Sequence, residues 1–143
     1  MGKQEMALLI DSGFLYATVD KSDANHKRVL ELLPTLPRAD LILPTPVLVE
    51  VTYLLHDRLN HREMRQFVAR LDGSPIKFEA ITQADISRIH ELLDKYSNVE
   101  LDFVDASITA LAERLNVRQI LTVDERDFRI IRPAHCEYFE ILP

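Results

Sequence analysis

The chain of 143 residues contains one cysteine, three glycines and no tryptophan, and its net charge is −6. With Cys136 alone, a disulfide framework and a cysteine-rich zinc cluster are both excluded, and a reducing, cytoplasmic setting is expected. Cys136 itself is expected to pack within a strand. Three glycines leave no Gly-rich phosphate loop, which excludes the common nucleotide-binding motifs. No apolar run approaches the roughly 18 residues of a membrane helix. Met1-Gly2-Lys3-Gln4-Glu5-Met6 lacks both a signal-peptide core and the hydroxyl residue expected for myristoylation. The five histidines show no His-Glu-x-x-His pattern or other metal-ligand spacing. The negative charge has the wrong sign for a simple electrostatic nucleic-acid binder, but it does not exclude an enzyme.

What is present is an alternation of short apolar runs with helical patterns, within a length that suits one domain, 1–143. Ala7-Leu8-Leu9-Ile10 reads as a strand buried on both faces. Ser12 is expected to cap a helix through Val19, and a second helix covers Ala24 to Leu33, ended by Pro34 and Pro37. Leu41-Ile42-Leu43 is a strand closed by Pro44. Thr45 as N-cap and Pro46 at the first helical position then open a helix to Arg58, with a deeply packed first half. Helices are expected over Arg62–Leu71 and, after the capping box Thr82-Gln83-Ala84-Asp85, through Lys95. Lys77–Ile81 alternates like an edge strand, Gln119–Val123 reads as a buried strand, and Glu137–Ile141 as a terminal one. Between them a helix opens at Asp102, with Val104, Ile108, Leu111 and Leu115 on its apolar stripe, and stops at Asn116. Such an order indicates an α/β sandwich around a mostly parallel sheet.

Five acids interrupt these apolar segments: Asp11, Glu50, Asp102, Asp105 and Asp124. A carboxylate is costly to bury unless a cation meets it, so scattered buried acids point to one shared cation. Asp11 and Asp124 each follow a strand, and parallel neighbours would bring both to the same sheet edge. Each also has a structural alternative. Asp102 suits an N-cap with Asp105 at the third helical position, Asp124 has Asp127 at a cap-like spacing, and Glu50 has the option of a buried ion pair with an arginine. Hard oxygen donors select Mg²⁺ or Mn²⁺ over zinc, and such an ion assists hydrolysis of phosphodiesters.

Leu9-Ile10-Asp11-Ser12, Pro44-Thr45-Pro46-Val47-Leu48-Val49-Glu50-Val51, Asp102-Phe103-Val104-Asp105-Ala106-Ser107 and Leu121-Thr122-Val123-Asp124-Glu125-Arg126-Asp127-Phe128, in that order, resemble the PIN domain. Asp23-Ala24-Asn25-His26 matches a further early element of that family. The resemblance implies a three-layer α/β/α sandwich and a Mg²⁺- or Mn²⁺-dependent endoribonuclease. It carries the acidic quartet onto Asp11, Glu50, Asp105 and Asp124, with Asp102 either a fifth ligand or the helix cap. Ser12 and Thr122 match polar positions beside the acids. In size and layout the chain is similar to the toxin half of VapBC toxin–antitoxin pairs, which implies an RNA substrate, a cognate antitoxin and a homodimer.

Arg126, Arg129 and Arg132 follow Asp124 and are candidates to meet substrate phosphates; a solvated helix face balanced by Glu125 and Asp127 is the alternative. Two other functions compete with the nuclease. One is a non-catalytic protein-interaction domain of the same fold. The other is a metal-dependent phosphatase, against which Asp11-Ser12-Gly13 counts because it lacks the second aspartate of an Asp-x-Asp motif. Within the Asp102/Asp105 pair, Asp105 is expected to be the ligand and Asp102 the cap.

Overall fold

Leu8–Ile10 (β1) is the most completely buried strand, with each residue at 2% exposure or less, and a computed structural model describing residues 7–36 and 40–143 places it at the centre of the sheet. Met1–Met6 and Pro37 lie outside the described residues. After β1 come α1 (Ser12–Val19), α2 (His26–Leu32) with a 3₁₀ turn at Leu33–Thr35, β2 (Leu41–Pro44) and α3 (Thr45–Arg58). The chain continues through α4 (His61–Leu71), β3 (Lys77–Glu79), α5 (Gln83–Lys95) and a 3₁₀ turn at Ser97–Val99. It ends with α6 (Phe103–Leu115), β4 (Gln119–Leu121), α7 (Glu125–Ile130) and β5 (Glu140–Leu142).

The five strands lie in the order β3-β2-β1-β4-β5, and every pairing is parallel. Helices cover the sheet in three α/β/α layers, α1 packing on α3, α3 on α4, and α5 on α6. The strands nearest water carry charge, Lys77 and Glu79 on β3 and Glu140 on β5, which suits sheet edges. From β1 the chain builds outward through β2 to β3, then crosses to β4 and β5 on the other side. The direction therefore reverses between β1 and β4, where open parallel sheets form a crevice beyond their carboxyl ends. Ile10 pairs with Leu121 in register, and the Asp11 amide donates to the Leu121 carbonyl at 2.9 Å. No helix among the described residues is long and apolar enough to cross a membrane.

Several local expectations are corrected. The cap of α1 is Asp11, whose side chain accepts from the Ser12 amide; Ser12 is already helical. Pro44 is the N-cap of α3, so Thr45 and Pro46 shift one position inward and Thr45 makes no capping bond. The first half of α3 is not packed all round: Val47 and Val51 are buried, whereas Val49 is 69% and Tyr53 66% exposed. α2 begins at His26, after Asn25, instead of at Ala24. β3, β4 and β5 are three residues each, shorter than the alternation implied, and Cys136 lies in the loop before β5, half-buried. The capping box at Thr82 and Asp85 and the left-handed stop at Asn116 (φ 56°) form as expected.

Candidate active site

Asp11 is at the reversal point because β1 ends there, and it is only 6% exposed. Its Oδ1 accepts from the Ser12 amide at 2.8 Å and its Oδ2 from the Thr122 hydroxyl at 2.8 Å. The Thr122 oxygen in turn accepts from the Asp124 amide at 3.1 Å, so one hydroxyl ties the end of β4 to the end of β1. Glu50 reaches the same point from α3, and the Ser12 hydroxyl donates to its Oε1. Ser12 and Thr122 thus stand where the sequence suggested, bridging acids that lie far apart in the chain.

Asp102 and Asp105 arrive on the first turn of α6. Asp102 is the N-cap, accepting from the Asp105 amide at 2.8 Å, and is itself exposed. Asp105 is 7% exposed and points inward. Burial raises the pKa of Asp105 far above the carboxylate range, and the charges of Asp11 and Asp102 and a side-chain hydrogen bond with Asp127 raise it further. Burial likewise lifts Asp11 to about 6; the Thr122 and Ser12 hydrogen bonds oppose the shift, and Glu50 and Asp102 add to it. Both shifts have one origin, buried negative charge that nothing neutralises. Among the described residues, no lysine or arginine forms an ion pair with any of these acids, so the arginine partner considered for Glu50 is replaced by Ser12.

Two positions differ from expectation. Asp124 lies three residues past β4, at the N-cap position of α7, and its carboxylate is exposed, makes no capping bond, and is held only through its backbone. Asp127, read as no more than a cap-like neighbour, is half-buried and meets Asp105. The Asp-x-x-Asp spacing reads in the sequence as a cap, and nothing in it points to a partner on α6. Of the arginines, Arg129 pairs with Glu125, and Arg132 donates to the carbonyls of Arg129 and Ile131 at 2.6 and 3.2 Å. Among the described residues Arg126 has no partner.

The donors at this crevice are carboxylate and hydroxyl oxygens, a set that fits a hard divalent cation. Among the described residues no three acids converge as a finished ligand set: Asp11 is turned to its two hydrogen-bond donors and Asp105 to Asp127.

Comparison with known proteins bears on the fold and the family. The chain is 28% identical over 137 residues to Ribonuclease VapC26 of Mycobacterium tuberculosis (strain ATCC 25618 / H37Rv), covering 95% of this chain and 100% of that protein. Its fold is shared with the crystal structure of M. tuberculosis VapC20, described as a sarcin-ricin loop cleaving toxin (TM-score 0.76, 23% identity, 82% of this chain and 90% of the other). It is also shared with VapBC2 from Rickettsia felis bound to a DNA fragment from its promoter (TM-score 0.69, 14% identity, 96% and 99% covered). The family model described as PIN domain matches residues 8–132, and the chain belongs to that family.

Proposed function

We propose that this protein is a divalent-metal-dependent endoribonuclease that hydrolyses RNA phosphodiester bonds in the cytoplasm. The observation that carries the reading is the group of acids at the sheet's reversal point, which no lysine or arginine among the described residues meets in an ion pair. The similarity to a protein named a ribonuclease supports it. Asp11, Glu50 and Asp105 would hold a Mg²⁺ or Mn²⁺ ion, with Asp124 and Asp127 at the rim and Asp102 setting the start of α6. Bound there, the ion would supply Lewis-acid stabilisation of charge on the phosphoryl group. The chain's own residues do the positioning. Ser12 fixes Glu50 relative to Asp11, Thr122 holds Asp11 against β4, and Arg126 is free to meet a substrate phosphate. We further read the chain as the toxin of a VapBC-type pair, held by an antitoxin and forming a homodimer; several solved proteins sharing its fold are toxin–antitoxin complexes.

The test compares cleavage of an RNA oligomer with hydrolysis of a simple phosphomonoester, each with Mn²⁺ and with chelator. Metal-dependent cleavage of RNA alone is expected, and Asp11→Asn should abolish it while the circular dichroism spectrum is unchanged. Full activity in that variant, or a preference for the monoester, would sink the reading. Replacing Asp124 and Asp127 separately by Asn, and titrating Mn²⁺ into each, ranks the two rim acids directly.

A further inference from the structure

Two apolar grooves run along α3 and share Val49. One, about 570 Å³, lies toward α4 and β3, is lined by side chains such as Leu48, Met64, Val68 and Phe78, and takes in none of the acids of the active site. The other, about 620 Å³, lies toward α6 and has Glu50 in its wall together with Pro46, Tyr53, Phe103 and Val104. Both are in the size range of pockets for small organic groups, but only the second opens onto the acidic centre.

Two aromatic rings stand at that second groove, Tyr53 at 66% exposure and Phe103 at 46%. Tyr53 is one helical turn beyond Glu50 on α3. Phe103 is the first residue of α6, flanked by the cap Asp102 and, two residues on, by Asp105. We propose that Tyr53 and Phe103 form a stacking platform for unpaired nucleobases beside the RNA bond that is cut, an inference that rests on the nuclease reading above. Side chains so close to the catalytic acids meet whatever part of the strand adjoins the scissile phosphate. Among the described residues no lysine or arginine lines the groove, and the whole chain is net negative, so phosphate attraction does not hold the strand here. What the groove offers is ring faces, and every base has a π-face to match them. A partner surface seated here, including a second copy of this chain, would instead cover Glu50 and block substrate from the acids, which the nuclease reading does not permit. Groove chemistry therefore favours a strand whose bases stack while its backbone stays wet.

The experiment uses single-stranded RNA oligomers carrying a fluorescent purine analogue at each position in turn, with the full-length protein and Mn²⁺. Stacking on wild type should quench the analogue at positions next to the cleavage point. Tyr53→Ala and Phe103→Ala should lose that quenching and raise KM by between about 5-fold and 100-fold, the increment expected for one stacked base, with kcat within about 2-fold. Tyr53→Phe and Phe103→Tyr should recover both. Unchanged quenching and KM in both alanine variants would overturn the proposal. So would alanine variants that only shift sedimentation from dimer to monomer, which would make the groove a self-interface. Quenching by a wild-type protein that cuts no RNA would instead retain the platform and defeat the nuclease reading; cutting without quenching would do the reverse.

Discussion

Asp85 and Asp105 occupy the same place in two neighbouring helices and meet opposite fates. Each is the third residue of its helix, each amide is met by the side chain of its N-cap, Thr82 or Asp102, and the two are 5% and 7% exposed. Burial pushes both carboxyls upward. At Asp85, Arg114 answers from the end of α6, its Nε and Nη2 donating at 3.0 and 3.1 Å, and the net pKa falls below the ordinary carboxylate value. Glu113 beside it is likewise carried down against burial by Arg88, at 2.7 and 2.9 Å. At Asp105 no guanidinium comes from the described residues, only more acids. Helix α6 thus runs from a centre starved of cations at one end to a neutralised ion-pair network at the other. A buried acid whose counter-charge is built in serves the fold; one without it is, on the reading proposed above, where a cation from outside would bind.

The contrast breaks most sharply with Asp105→Asn. RNA cleavage should fall by on the order of 100- to 1,000-fold, a loss of the size seen when a group stabilising transition-state charge is removed. The metal-free protein should at the same time become more stable, by on the order of 1–2 kcal/mol, because Asn is neutral without the proton uptake that a raised carboxyl pKa imposes near neutral pH. Single-turnover cleavage and a denaturant midpoint in chelator measure the two halves; a less stable Asn variant would mean Asp105 is structural after all.

Arg114→Met is the complementary change and should leave Asp85 unpaired. We expect a loss of about 2 kcal/mol, less than for a fully buried pair because about 33% of the Arg114 side chain meets water. Cleavage per folded molecule should stay within about 2-fold, since the network lies away from the acids of the site. A large loss of cleavage in folded protein would show that the two ends of α6 are coupled.

The two ends also respond to pH in opposite senses. Asp11 titrates near 6 in the folded chain against 3.8 for an unburied aspartate, so its favourable contribution is complete below about pH 4 and is lost as pH rises through 6. Metal-free protein should therefore gain about 1 kcal/mol from Asp11 between pH 7 and pH 5, and Asp11→Asn should abolish that gain. Asp85 and Glu113, with lowered folded pKa values, contribute above their ordinary range and lose that contribution as pH falls further. Thermal melts across pH 4 to 7 in chelator test both signs.

The smallest effect belongs to Asp102. Asp102→Asn keeps a capping oxygen and should cost no more than a few tenths of a kcal/mol, whereas Asp102→Ala should cost about 1 kcal/mol. Either should reduce cleavage far less than Asp105→Asn. Equal losses from Asp102→Asn and Asp105→Asn would place Asp102 among the metal-holding acids.

Much of this was legible in the chain, and the parts that were obey local rules. The uninterrupted run Leu8-Leu9-Ile10 marks a central parallel strand because only a strand covered on both faces can hide three consecutive large side chains. The capping box at Thr82, the stop at Asn116 and the cap at Asp102 are settled by hydrogen bonds within four residues. Strand bounds and the exact caps of α1 and α3 differ from expectation by one to three residues, because neighbours in the sheet decide where pairing ends. Asp127 was missed because its partner is on another helix, and α3 was judged too buried because apolar composition does not say which face meets a groove.

By itself, then, the sequence determined the alternation of strands and helices, the acids that interrupt them, and the family they belong to, since these depend on side-chain period and short-range hydrogen bonding. Only the tertiary structure decided that β1 and β4 lie side by side, that Arg114 reaches Asp85 while no cation among the described residues reaches Asp105, and that Asp127 joins the centre. Whether a buried carboxylate is neutralised depends on groups brought close by packing, and distance along the chain carries no record of that.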